Sequence, residues 1–91
     1  MAKKLTEKEI AEKLQKSPGW KRQGDEISRL YEFSGFITAM AFVNHVAGLA
    51  EGMDHHPDIT IRYKRVTLTL STHSEGGLTD LDFALAQKID A

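Results

Sequence analysis

Apolar positions along this chain recur first at helical spacing, then in alternation, and the change of period marks each predicted element in turn. Leu5-Thr-Glu-Lys-Glu-Ile10 reads as a helix start: Thr6 caps, Glu9 three residues later closes a capping box, and Leu5 staples onto Ile10. The helix runs through Leu14 and stops before the breaker cluster Ser17-Pro-Gly19. Its seam of Ile10 and Leu14 is narrow, which predicts a surface helix docked along one edge. Trp20 opens a short strand that turns at Gly24-Asp-Glu26, and Ile27 to Phe33 answers it as the second strand of an antiparallel hairpin. There Ile27, Tyr31 and Phe33 share one face while Ser28 and Glu32 take the other, and Trp20 is expected to anchor the core.

The most apolar stretch follows. With Ser34 as N-cap, Phe36, Met40, Val43, Ala47 and Ala50 form one helical stripe, and Ile37, Phe42, Val46, Leu49 and Met53 form a second beside it. Thr38, His45, Gly48 and Gly52 are left on a narrower polar side, where His45 is a helix-surface or interface residue. So broad an apolar surface needs burial on more than one side, and in a short chain the second partner is expected to be another subunit. A membrane-surface helix would carry a polar face rich in Lys and Arg, which this one lacks. Pro57 predicts that the helix ends near His56.

Asp58 to Tyr63 is the next strand, with Ile59, Ile61 and Tyr63 on one face; Lys64-Arg65 is the expected turn. Val66 to Leu70 then alternates cleanly, Val66, Leu68 and Leu70 inward and Thr67 and Thr69 outward. Continued alternation puts Ser71 and His73 on the Thr67/Thr69 face before Ser74-Glu-Gly-Gly77 breaks the strand. The last helix runs from Thr79, its N-cap, to about Ile89, with Leu81, Leu85 and Ile89 inward and Phe83 and Ala84 beside them. Asp80 and Asp82 fall in its first turn, where the helix dipole favours acids. The sum is α-β-β-α-β-β-α, an α+β domain with a four-stranded antiparallel sheet and helices packed on one face.

Composition narrows the picture modestly. A length of 91 residues predicts one domain, 1–91, and 41% hydrophobic with 27% charged residues suits a globular chain. The formal net charge of -1 gives no general electrostatic attraction to nucleic acid or to an anionic membrane, and neither is expected as a partner. The chain has no cysteine, so it has neither disulfides nor a thiolate zinc site, which fits a reducing compartment and an expected cytoplasmic location. Met1–Lys4 is basic but leads into Thr6-Glu-Lys-Glu9, not an apolar segment, so no secretory signal is expected. No apolar run reaches the roughly 20 residues that a bilayer requires.

Chemistry concentrates in Glu51-Gly-Met-Asp-His-His-Pro57. As a class, imidazoles beside carboxylates can both give and accept a proton, although a His-His pair in a connecting loop is also commonplace. Glu51, Asp54 and His55 stand at i, i+3 and i+4 and share a side if the helix persists that far. A metal centre from His55, His56 and His73 is the rival, but neighbouring histidines in a turn do not readily converge on one ion, and none is expected. These residues alone leave a suspected site without a substrate.

An acid, three residues, His-His-Pro, an aromatic and a later histidine occur here as Glu51, His55-His56-Pro57, Tyr63 and Ser71-Thr72-His73, followed by Asp82 beyond Gly77-Leu78. With Gly19-Trp20 near the start, this order resembles the pterin-4a-carbinolamine dehydratases, known in animals also as a dimerisation cofactor of a homeodomain transcription factor. The likeness covers most of the chain from Trp20 onward. It implies the same element order, a homodimer or homotetramer through the long helix Phe36 to Ala50, and dehydration of a 4a-hydroxytetrahydropterin to quinonoid dihydropterin in tetrahydrobiopterin-type recycling. It further implies a functional link to an aromatic amino-acid hydroxylase, with no cofactor because the pterin is the substrate. Carried over residue by residue, the catalytic set is His55, His56, His73 and Asp82. On this reading His55 and His73 transfer protons from different sides of the pterin, His56 positions the ring and Asp82 orients an imidazole. Glu51, Asp54, Ser71 and Thr72 are the substrate-binding candidates. A coactivator or assembly module without catalysis is the alternative on the same fold.

Overall fold

A computed structural model of the chain describes residues 3–91; Met1 and Ala2, half of the basic Met1–Lys4 start, lie outside the described residues. The elements are α1 (Glu7–Gln15), β1 (Lys21–Gln23), β2 (Glu26–Glu32), α2 (Phe36–Met53), β3 (Asp58–Arg62), β4 (Arg65–Leu70), a 3-10 turn at His73–Glu75, and α3 (Asp80–Asp90). This is the order that the hydrophobic pattern predicts. All pairings are antiparallel and the sheet order is β1-β2-β4-β3. Central β4 buries Val66, Leu68 and Leu70 completely, and the register sets Ile27 opposite Leu70 and Ile59 opposite Leu68 on that same face. Helices α2 and α3 close over it, contributing Ala39, Val43, Val46, Ala50, Phe83, Leu85, Ala86 and Ile89 to one core.

Local chemistry accounts for most boundaries. Thr6 and Glu9 form the expected reciprocal cap on α1, and the guanidinium of Arg22 holds the helix to the first hairpin through two bonds to Glu7, at 2.6 and 2.8 Å. That hydrogen bond and its charge hold the exposed Glu7 carboxyl below its ordinary range. Trp20 is buried as the anchor, one residue ahead of the strand it was expected to open. Its indole N–H donates to Asp90 Oδ2 at 2.7 Å, and the Tyr31 hydroxyl donates to Asp90 Oδ1 at 2.6 Å. Arg29 joins them, reaching Asp90 at 3.1 Å and the Pro18 carbonyl at 2.9 Å, with its guanidinium 4.8 Å from the Tyr31 ring centre. Burial, then the bond to Asp90, pushes the Tyr31 phenol well above its usual value, so it stays a donor. Gly19 sits at φ +91°, a conformation that favours glycine, and a Cβ there would also push the Arg29 guanidinium aside.

Several expectations are corrected. Gly35, not Ser34, is the N-cap of α2; the chain enters the helix one residue later and the Ser34 hydroxyl pairs with that of Thr38 at 3.3 Å. Facing the core on α2 are Ala39, Val43, Val46 and Ala50, whereas Phe36 and Ala47 of the expected stripe are exposed, because the inward stripe runs at i, i+4, i+7 and i+11 from Ala39 and leaves those two to one side. Phe42, Leu49 and Met53 are half-buried at its edges, while Ile37 is 79% exposed. In α3 it is Ala86 that is buried and Ala84 that faces solvent, since the inward arc runs through Phe83, Ala86 and Ile89. The β3–β4 turn is Tyr63-Lys64, one residue earlier than Lys64-Arg65, because Arg65 already pairs with Arg62; Tyr63 takes the positive φ, +51°, that such tight turns demand. At 18 residues α2 is also long and apolar enough, by length and composition alone, to cross a membrane, at the margin that the sequence reading set.

Candidate active site

The long helix ends three residues sooner than Pro57 suggests. Asp54 adopts φ +50°, the His55 N–H reaches back to the Ala50 carbonyl at 3.1 Å, and the chain reverses. The expected common side for Glu51, Asp54 and His55 therefore does not form, since only Glu51 is still helical. The left-handed turn instead throws His55 inward, leaving 8% of it exposed, and leaves Asp54 on the surface.

What His55 meets is Asp82. The Thr79 cap that starts α3 places Asp82 at the third helical position with no exposed surface: the Thr79 N–H donates to Asp82 Oδ2 at 2.9 Å, and Thr79 Oγ1 accepts from the Leu81 N–H at 3.2 Å. Two residues beyond β4, the Thr72 hydroxyl donates to the same Oδ2 at 2.9 Å, and His55 Nε2 stands 2.6 Å from Oδ1. A carboxylate withdrawn from water is tolerated only when its oxygens are bonded, and these three partners bond both. The cap and the site acid are one residue.

The arrangement decides which ring nitrogen of His55 can work. A carboxylate only accepts, so Nε2 carries the proton and donates to Oδ1, leaving Nδ1 as the second nitrogen. Among the described residues the one enclosed side-chain polar atom without a partner is Ser17 Oγ, so the unbonded Nδ1 of His55 is not fully sealed from solvent. Nδ1 can give or take a proton while Nε2 holds the ring in place.

The other two histidines flank this centre along the chain. His56 follows His55 and bonds through Nε2 to the Glu51 carboxylate on the surface, with side chains 54% and 76% exposed. His73 follows Thr72, the last residue to keep the β4 alternation; it is exposed and starts the 3-10 turn instead of extending the strand. Each is thus about 3.8 Å, Cα to Cα, from a residue bonded to Asp82. Thr72 and Gly77 pair to close the intervening loop, with Gly76 at φ +71° making the reversal. Ser71 points its hydroxyl at the Asp25 carbonyl, 2.8 Å away, bracing the first hairpin turn. The structure thus brings His55, Asp82 and Thr72 together, joins Glu51 to His56 apart from them, and sets Asp54 and Ser71 outside both groups. Thr79 is the member that residue-type reasoning overlooked, although its position three residues before Asp82 is a capping-box signal.

Two surface recesses, of about 420 and 470 Å³, lie instead against α1 and α3, the first lined by Lys16, Ser17, Arg29 and Asp90 among others. Neither includes a histidine, so these two recesses are separate from the histidine cluster. Among the described residues no three His, Asp or Glu side chains are grouped to hold a metal ion.

Residues 3–91 match the family model described as pterin 4 alpha carbinolamine dehydratase. A protein of Thermomicrobium roseum, provisionally named pterin-4-alpha-carbinolamine dehydratase, is 58% identical over 86 residues, which is 94% of this chain and 92% of the relative. One of the same provisional name from Acidobacterium capsulatum is 59% identical over 87 residues, covering 96% and 95%. Among solved structures, a transcriptional coactivator/pterin dehydratase from Brucella melitensis superposes with a TM-score of 0.92 at 42% identity, over 96% of this chain and 95% of that one. A pterin dehydratase-like protein identified as a RuBisCO assembly factor in the alpha-carboxysome is more distant, with a TM-score of 0.67 at 25% identity over 79% and 86%.

Proposed function

The chain belongs to the pterin 4 alpha carbinolamine dehydratase family, and from that premise we propose that it dehydrates a 4a-hydroxytetrahydropterin to the quinonoid dihydropterin by histidine acid–base catalysis. The C4a–O bond breaks and the N5–H proton leaves; its electron pair forms C4a=N5, and the departing oxygen takes a proton to become water. Hydroxide leaves poorly near neutrality and N5 releases its proton reluctantly, so the reaction needs an acid and a base at two edges of one ring. No electrons are exchanged with a third party, so the chemistry calls for no redox cofactor.

The observation that carries this reading is the buried His55–Asp82 pair with an unbonded Nδ1, flanked along the chain by His56 and His73. His55 and His73 handle the two protons, and His56 with Glu51 positions the ring. Asp54 accepts from the pterin amino and amide N–H groups. Thr72 and Ser71, whose hydroxyls are committed within the protein, hold the ring edge by bracing the loop. Such an enzyme serves recycling of a tetrahydrobiopterin-type cofactor, downstream of an aromatic amino-acid hydroxylase, in the cytoplasm. Its test is the ultraviolet absorbance change of enzymatically generated 4a-hydroxytetrahydropterin: the protein should accelerate the decay above background, and a background rate would oppose the proposal.

Association through α2 belongs to the same proposal, supported by Phe36 and Ile37 standing 47% and 79% exposed. Light scattering at micromolar concentration should return a dimer or tetramer, and Ile37→Asp should shift it toward monomer; a wild-type monomer would count against the assembly. The exposed apolar end of α2 also favours the second reading, a protein-binding module on this fold, as the names of the two structural relatives illustrate for those proteins. Catalysis is preferred because all three histidines and the buried acid are present.

A further inference from the structure

The recess of about 420 Å³ beside the end of α1 is lined by Lys16, Ser17, Pro18, Arg29, Gln87 and Asp90, and its wall holds an arginine fixed at one end. Arg29 Nη1 spends its two hydrogens on the Pro18 carbonyl at 2.9 Å and on Asp90 Oδ2 at 3.1 Å. The guanidinium is flanked by Gly19, where a Cβ would stand 2.7 Å from it, and by the Tyr31 ring, whose centre is 4.8 Å from Cζ. The hydrogens on Nε and Nη2 have no partner among the described residues, and neither nitrogen is sealed from solvent, since Ser17 Oγ is the one enclosed side-chain polar atom left unbonded. Nε–H and Nη2–H together make the side-on fork that grips two oxygens of a carboxylate or phosphate.

Charge and an unmet hydroxyl mark the same place. Asp90 is the one acid in this wall and already accepts from Trp20, Tyr31 and Arg29, whereas Lys16 pairs with no carboxylate among the described residues. Two cations against one carboxylate leave a positive charge in excess. Ser17 is 3% exposed and its Oγ lacks a partner; a hydroxyl moves with a single torsion, so an acceptor entering the recess gives it one. The adjoining recess shares Lys16 and Gln87 but adds Glu9 and Glu12, which repel an anion. We propose that the first recess is a ligand site separate from the histidines, which receives the carboxylate or phosphate group of a small molecule: the Arg29 fork holds two oxygens, Lys16 adds charge and Ser17 donates its hydroxyl. Its volume suits a small organic ligand, and nothing in it depends on the dehydratase reading.

Sodium phosphate and sodium acetate are the probes, titrated near neutral pH into nitrogen-15-labelled protein at constant ionic strength, with sodium chloride as the control for screening. The Arg29 Nε–H and Gln87 side-chain amide signals should move and saturate in the millimolar range with at least one probe, and the tighter of the two tells a phosphate ligand from a carboxylate. Arg29→Lys keeps the charge but loses the fork, and should weaken binding about 10-fold, the worth of one charged hydrogen bond. Ser17→Ala removes a hydroxyl that the free chain leaves unmet, so it should melt no lower than the wild type while binding the probe more weakly. Those opposite effects separate a ligand group from a structural one. Signals that move equally with chloride, shifts confined to His56 and His73, or undiminished binding in Arg29→Lys or Ser17→Ala would overturn the proposal. Should Arg29→Lys fail to fold, Lys16→Gln, at an exposed position, must weaken binding in its place.

Discussion

Asp82→Ala is expected to destabilise the protein by about 3–5 kcal/mol, the cost of removing one side of a buried ionic hydrogen-bonded pair. Three donors converge on that carboxylate: the Thr79 N–H, the Thr72 hydroxyl and the His55 ring. Alanine would leave all three facing a void that no water easily fills, and it would also break the cap on α3. For a domain of this size that corresponds to a fall in melting temperature of at least about 10 °C. Asp82→Asn keeps the volume but turns one oxygen into an N–H donor, so one of the three bonds must still fail. Its loss should be smaller in stability and comparable in activity. Thermal unfolding followed by circular dichroism decides the matter: a change below about 1 kcal/mol for Asp82→Ala would mean that the network is not a unit.

His55→Ala should lower kcat by about 10²–10⁴, the range that one positioned acid–base group supplies. The argument is geometric: Nε2 is held at 2.6 Å from Asp82 while the ring stays almost wholly buried, so Nδ1 is the one nitrogen left to take up and then release a proton. Alanine removes that nitrogen and also leaves Asp82 Oδ1 without its donor, so the variant must be shown to remain folded. His56→Ala should cost less, because His56 is an exposed residue paired with Glu51, which the proposal assigns to positioning and not to proton transfer. Equal losses at both histidines, with folding intact, would overturn the division of roles.

The sequence was informative where chemistry is local. Thr6 with Glu9, Thr79 with Asp82, and the alternation of Val66, Leu68 and Leu70 each appear in the structure as their spacing implies, because caps and pleats depend on residues a few positions apart. The His55–Asp82 contact spans 27 positions and no period announces it; it entered only through resemblance to a family. Asp90 went unread for the same reason, its partners Trp20 and Tyr31 lying 70 and 59 positions away. The corner at Asp54 misled differently. Pro57 marks where a helix can no longer continue, but a left-handed residue can end it earlier, and aspartate accepts that conformation without a glycine to signal it.

The central claim, that His55 backed by Asp82 drives loss of water from a 4a-hydroxytetrahydropterin, is tested most directly by one rate comparison. Wild type, His55→Ala and His73→Ala, each checked for folding, are mixed with the freshly generated hydroxypterin and followed by ultraviolet absorbance against the uncatalysed reaction. Acceleration by the wild type that collapses toward background in both variants is the expected result. A folded wild type no faster than background, or a His55→Ala that keeps the full rate, would contradict it.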